Sequence, residues 1–312
     1  MAVDTTYFLD AVKRAVTIPS SQIRFSNTDI LRFADEETEA VIVPAITSAR
    51  LEFFVKYVDQ ALIANQAEYK IPYRAIGRTL RFIELRTSTN DLVKDLSFIM
   101  PEDVGRLTTQ AAGGPWAFTV RGDYVILLPT PSAANYNLRM YYELAPAKLI
   151  ETSAAGVIQS INTSTGEITL TSAISTFTTG LSFDIIDFKS GNTNKAEDIV
   201  STNVASNVVT FAVADIPSNV AVGDYLCISN QTPVLQLPNE MHQTLVQSVV
   251  CRILEALSDY EGLQAAMARR DAIMGNALQI INPRLESHVP VVINTRGLLR
   301  HRPYGYRWRY NL

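Results

Sequence analysis

Histidine, cysteine and convergent carboxylates are the side chains from which most active sites and metal centres are built, and this chain offers few of them in useful arrangements. Its three histidines are His242, His288 and His301. His242, one turn into a helical stretch beside Glu240, reads as a capping or interface residue rather than a ligand. The sequence contains no His-Glu-x-x-His, Cys-x-x-Cys, Gly-x-Ser-x-Gly or Gly-x-x-x-x-Gly-Lys, so no metal, acyl-enzyme or nucleotide chemistry is indicated. No catalytic residue and no cofactor follows from it. Asp35, Glu36, Glu37 and Glu39 are a run of carboxylates without the glycine or spacing of a coordinating loop, and read as a solvated helix face. The pairs Asp4 with Asp10 and Glu102 with Asp103 have the residue types of glycosidic cleavage, yet nothing in the sequence brings either to a cleft. Arg121-Gly122-Asp123 has the composition of a receptor-binding tripeptide but, lying between two apolar runs, reads as a hairpin turn.

The residues that do suggest a task lie at the C-terminal end. Between Ser287 and Leu312 there are five arginines and no acid, and in Arg302-Pro-Tyr-Gly-Tyr-Arg-Trp-Arg-Tyr310 cations alternate with rings. If extended, such a segment shows an aromatic face and a cationic face at period two. The candidate partner-binding set is Arg296, Arg300, Arg302, Tyr304, Tyr306, Arg307, Trp308, Arg309 and Tyr310. Nucleic acid, an anionic membrane and another protein are the three classes of target. The rest of the chain carries 22 − 31 = −9 and would repel a phosphate backbone, which favours protein docking, where Arg, Tyr and Trp dominate hot spots. An arm of this kind is expected to order only on assembly.

The elements that would present this arm follow from the rest of the 312 residues, 47% of them apolar and 19% charged, enough for a sizeable core and more than one domain. No run approaches a membrane span, and the first residues carry acid where a signal peptide carries cations. Cys227 and Cys251 sit in apolar surroundings and fit reduced, buried thiols. The fold class expected is α+β: a bundle of N- and C-terminal helices, a small antiparallel sheet, an inserted all-β domain with an internal repeat, and an extended C-terminal arm. Residues 4–16 have helical spacing behind Asp4; Ser26 or Asn27 caps a second helix, and Pro44 interrupts an apolar helical run that continues to Leu51. FFVKYVDQALI and EYKIP read as a hairpin, TLRFIELR as a further strand, and WAFTV-RGD-YVILLP as the clearest hairpin, with a third strand at YNLRMYYEL. Residues 151–230 hold eight acids, two lysines and no arginine. Within them 157–188 and 198–228 repeat one another at offsets of 41 and 43, which suggests a β-barrel or sandwich of roughly six strands. After Pro238 two apolar stripes make an αα-hairpin ending at Pro283. The boundaries expected are 1–150 and 231–286 for the core, 151–230 for the inserted domain and 287–312 for the arm.

Four stretches, Ile30 to Phe54, Tyr57 to Leu85, Gly122 to Leu149 and Val234 to Asp259, together resemble tailed-bacteriophage head–tail connector or adaptor proteins of the virion neck. The most specific parts are Leu127-Leu128-Pro129-Thr130-Pro131 and Gln236-Leu237-Pro238-x-Glu240-x-His242. The resemblance implies a non-enzymatic structural protein, assembled in the host cytoplasm, that forms a dodecameric ring beneath the portal protein. It further implies contacts with neighbouring copies and with tail or other neck proteins, an arm reaching onto the portal, and genome DNA passing the channel without specific binding. A competing reading, from another class, makes residues 157–228 a module for a host surface glycan or receptor; Trp and Tyr, the usual sugar platforms, are absent there except for Tyr225.

Overall fold

The computed structural model describes residues 3–16, 25–107, 114–189 and 194–282, and residues 1–282 form one compact unit. Helix α1 (Thr5–Val16) begins where Asp4 Oδ1 accepts the Tyr7 amide at 2.8 Å, and it buries Phe8, Leu9 and Val12. Helix α2 (Asn27–Glu37) opens on a full capping box: Ser26 Oγ accepts the Asp29 amide and the Asp29 carboxylate accepts the Ser26 amide. A π-helical turn, Thr38–Ile42, then carries the chain into α3 (Val43–Ala49). Pro44 therefore does not interrupt the helical run. It lies just after the π-helical turn, whose widened bonding, with the Val43 amide donating to the Thr38 carbonyl, makes room for a ring that has no amide hydrogen.

The strands that follow correct the sequence reading in two places. Strands β1 (Val55–Ala61) and β2 (Glu68–Lys70) are not a hairpin: β1 pairs with β8 (Asn137–Leu144), whereas β2 pairs with β7 (Tyr124–Leu128). Instead of one small sheet there are two. One has the order β1-β8-β3-β4, with β3 (Ala75–Arg86) and β4 (Leu92–Asp95); the other runs β2-β7-β6-β5, with β5 (Ser97–Phe98) and β6 (Ala117–Arg121). The third strand expected beside the β6–β7 hairpin, β8, belongs to the first sheet. The cause is alternation: Leu138, Met140 and Tyr142 face a core shared with Ile83 and Leu85 from β3 and with Tyr69, Val125, Leu127 and Phe118 from the second sheet. The β6–β7 turn is tight, with Gly122 at φ +60 as the expected hairpin requires. A short helix, α4 (Val104–Leu107), follows β5.

Lys148–Leu149 (β9) leads into a closed six-stranded barrel, and Gln231–Thr232 (β16) leads out of it, the two pairing in parallel. The barrel order is β10-β11-β14-β13-β12-β15, with β10 (Gly156–Asn162), β11 (Glu167–Leu170), β12 (Ser182–Ile186), β13 (Asn194–Ala205), β14 (Val208–Phe211) and β15 (Tyr225–Ile228). Ile158, Ile168, Leu170, Phe183, Ile185, Val209, Phe211 and Leu226 fill its interior. Gly166 is required at the β10–β11 turn: its φ is +73, and a Cβ there would meet the Phe211 carbonyl oxygen at 2.2 Å.

Helices α5 (His242–Ala256) and α6 (Tyr260–Ile281) return to the N-terminal helices. Leu245, Val249 and Ile253 of α5 join Phe8, Val12, Ile30, Ala34 and Ile46 in a single apolar core. Residues 233–235 also hold the N-terminal segment: Thr5 donates to the Pro233 carbonyl at 2.8 Å and Leu235 to the Val3 carbonyl at 3.0 Å.

Candidate functional site

The densest arrangement of charge lies where the barrel meets the sheets. The turn between β2 and β3 projects Arg74, whose side chain is 4% exposed, onto three barrel segments. Its Nη2 donates to Asp184 on β12 at 2.9 Å, to Asp198 on β13 at 3.0 Å and to Ser229 just after β15 at 2.7 Å, while Nε donates to the Tyr73 hydroxyl at 3.0 Å. Asp184 is fully buried and also accepts the backbone amides of Asp198 and Asn230. Burial raises the Asp184 carboxyl above the usual range, against the lowering effect of Arg74 and of those two amides. Asp198 holds φ +56, a left-handed conformation that a non-glycine residue adopts at a cost when its surroundings fix it. Two further links run alongside: Lys56 on β1 pairs with Glu197, and Gln236 donates to Asn194 at 2.6 Å while accepting the Ala147 amide at 2.9 Å. Hydrogen bonds this directional favour one orientation of the barrel on the sheets, because one guanidinium is shared among groups from three barrel segments.

A second constellation covers the outer face of the first sheet. Tyr57, Tyr141 and Phe82 stand in register on β1, β8 and β3, and the Phe82 and Tyr141 rings stack with centroids 4.0 Å apart. In the adjacent row Arg139 binds Asp59 through Nε at 2.7 Å and Nη2 at 2.6 Å, and its guanidinium lies 4.0 Å from the centre of the Tyr57 ring. Tyr57 and Phe82 are 54% and 44% exposed, so this is an aromatic and ionic surface facing outward rather than a cleft around a small molecule.

The structure also places the residues singled out in the sequence. His242 is buried with Nε2 3.2 Å from the Leu237 carbonyl oxygen, and burial holds its pKa below the ordinary imidazole value. Cys227 and Cys251 are buried free thiols, with burial pushing both upward. Arg121 and Asp123 of the hairpin turn pair with Glu68 and Arg78. The acidic run 35–39 is not a solvated face throughout. Glu37 is 6% exposed and bound by Arg252 Nε at 2.8 Å, and Asp35 accepts the Leu149 amide at 2.9 Å, its carboxyl raised by burial to about 6. The sequence missed both because their partners, Arg252 and Leu149, are more than 100 residues away. Among the described residues no group of histidine, cysteine and carboxylate side chains is arranged to hold a metal ion. The partner-binding set from Arg296 to Tyr310 lies outside the described residues.

An α+β body with directional internal ties and an outward aromatic face is of a kind suited to contacts with other polypeptides. Comparison with protein families sharpens this. The model of the SU10 adaptor protein family matches residues 3–172, more than half of the chain, and the chain belongs to that phage head–tail adaptor family. Comparison with curated proteins gives no match.

Proposed function

We propose that this chain is a structural, non-enzymatic virion protein of a tailed phage whose copies form a ring, a dodecamer, joining the portal to the tail. Each copy docks through residues 287–312, with Arg296, Arg300, Arg302, Tyr304, Tyr306, Arg307, Trp308, Arg309 and Tyr310 meeting the portal or a neighbouring subunit. The carrying observation is the family match over residues 3–172. In this reading residues 1–150 and 231–286 are the ring-forming core, built on the helical bundle, and 151–230 is an inserted pseudo-repeat domain that points toward other neck or tail components. An acidic body with its cations concentrated in an arm suits a channel that passes duplex DNA without holding it. No helix among the described residues is long and apolar enough to cross a membrane, and the reading needs none. The protein is assembled in the host cytoplasm and ends in the virion neck.

Coexpression with the cognate portal tests this directly. A ring complex visible by electron microscopy is expected, and truncation after Glu286 is expected to abolish it. A truncated chain that still binds the portal removes the arm from the account, and failure of the full chain to bind removes the adaptor role.

A further inference from the structure

Strand β1 lies at one edge of the first sheet, and among the described residues no strand pairs with it other than β8. Its seven residues, Val55–Ala61, match β8 without a register shift. The Leu144 amide donates to the Phe54 carbonyl at 2.8 Å and the Leu62 amide to the Tyr136 carbonyl at 2.9 Å, which sets the phase of this ladder. Alternate residues of an antiparallel strand bond to opposite sides. Lys56, Val58 and Gln60 therefore bond to β8, while Tyr57, Asp59 and Ala61 direct their N–H and C=O groups away from it, toward the open edge.

Sheet edges in soluble proteins are normally shortened, bulged or guarded by a free charge, lysine above all. The other edge strands of this molecule follow that rule: β2 has three residues and β5 two, and β4 pairs with β3 through an irregular register. Strand β1 does not. The charges it carries are neutralised within the subunit, Lys56 by Glu197 of the barrel and Asp59 by the bidentate Arg139. It contains no proline, and Tyr57, Asp59 and Ala61 are exposed. The result is a regular edge without a free charge, flanked by the Tyr57 ring at 54% exposure.

We propose that β1 is a self-complementary docking edge, to which β1 of a second copy of this chain adds antiparallel about a two-fold axis at Val58. The sequence of the strand selects this occupant. In the register that overlaps all seven residues, Val58 meets Val58 of the second copy, Tyr57 meets Asp59, Lys56 meets Gln60 and Val55 meets Ala61. No like charges stand opposite each other. The outward-directed groups also match, since Tyr57 and Asp59 of the second copy exchange both backbone hydrogen bonds and the Ala61 amide donates to the Val55 carbonyl. The two Tyr57 rings are diagonal neighbours across the axis and shield one another from water. An axis at Asp59 would set two carboxylates face to face, and an axis at Tyr57 would leave Ala61 unpaired. The contact is separate from the ring proposed above: an isologous contact joins copies in pairs, whereas a ring repeats a head-to-tail contact.

The test uses the purified full-length chain carrying Val58→Cys. Opposed residues of a non-hydrogen-bonded pair have Cα atoms about 4.5 Å apart, within the span of a disulfide. Cys227 and Cys251 are buried and do not compete. Mild oxidation is expected to yield covalent dimers at least about tenfold more abundant than from Ala61→Cys, whose two copies lie at opposite ends of the overlap. In sedimentation velocity, Tyr57→Glu, which sets a carboxylate opposite Asp59 of the second copy on both sides of the axis, is expected to weaken pairing about fivefold or more. Tyr57→Lys, a charge of the other sign at the same exposed position, is expected to keep it, with the circular dichroism spectrum unchanged in both. A folded Val58→Cys chain that forms no disulfide, an Ala61→Cys chain that forms one as readily, or equal losses with Tyr57→Glu and Tyr57→Lys overturn the proposal. None of these readouts involves the portal, so this contact and the adaptor role stand or fall separately.

Discussion

Where α5 crosses α1 and α2, Leu245, Val249 and Ile253 meet Phe8, Val12, Ile30 and Ala34, every one of them nearly inaccessible to solvent. Where the barrel meets the sheets, the contacting groups are Arg74, Lys56 and Gln236 against Asp184, Asp198, Glu197 and Asn194. Apolar packing supplies most of the free energy of folding but is non-directional; small shifts cost it little. Ion pairs taken out of water return little net energy yet penalise any geometry but one. The helical layer is thus built for cohesion and the junction for orientation. In the ring proposed above, a barrel held by the second kind of tie would meet other neck or tail components from a defined place.

The largest effect is expected at Arg74. Arg74→Ala leaves Asp184 buried and unpaired, a loss of about 3–5 kcal/mol. Hydrogen exchange should rise in β12, β13 and β15 and stay unchanged in α5. Arg74→Met combined with Asp184→Asn, which removes both charges and keeps one acceptor for the amides of Asp198 and Asn230, should recover part of the stability, yet leave the barrel's orientation looser in small-angle scattering. If the single and double variants are equally unstable, the junction is cohesive rather than orienting and the distinction drawn above does not hold.

The converse substitution sharpens the same contrast. Leu245→Ala removes a fully buried side chain at the centre of the helical core and should cost about 2–4 kcal/mol in denaturant unfolding. Its exchange signature should be the mirror image: faster in α1, α2 and α5, unaltered in the barrel. Equal acceleration everywhere would show that the two regions unfold as one cooperative unit.

How much of this was legible in the residues follows from the range of the forces. Two helix starts were visible because caps act over three residues: Asp4 and Ser26 each accept a backbone amide three positions on. The β6–β7 hairpin was visible for the same reason, its turn chemistry being contained in Arg121-Gly122-Asp123. The pairing of β1 with β8 was not, because the partners lie about 80 residues apart and several strands of equal apolar alternation compete for each edge. Nor was the junction. Arg74, Asp184 and Asp198 look like ordinary surface charges in the sequence, and only the fold reveals that the two carboxylates share one guanidinium. The Arg296–Tyr310 set is a reading of composition, and truncation after Glu286 is the measurement that decides it.

The smallest expected effect lies between the two regions, at Asp35, where α2 meets the segment leading to the barrel. Burial raises its carboxyl from an ordinary 3.8 to about 6; the nearby Glu39 and Glu36 push in the same direction, and the Leu149 amide and Lys148 oppose. A carboxyl with a raised folded-state pKa binds its proton more tightly in the fold than in the unfolded chain. Its contribution is therefore complete below about pH 3.8 and is lost as the pH rises through about 6. Asp184 is shifted in the same direction by burial, so the wild-type slope contains both groups, and Asp35→Asn isolates one. The amide side chain can still accept the Leu149 N–H but cannot ionise. Between pH 4 and 7 the wild type should therefore lose about 1–2 kcal/mol relative to Asp35→Asn in chemical denaturation, the full shift being reduced because the carboxyl is only partly shielded from water. The change should register in α2 and β9 by hydrogen exchange before it reaches β12 or β13. Identical pH slopes for the two proteins would place Asp35 in solvent and remove its titration as a tie between α2 and the segment leading to the barrel.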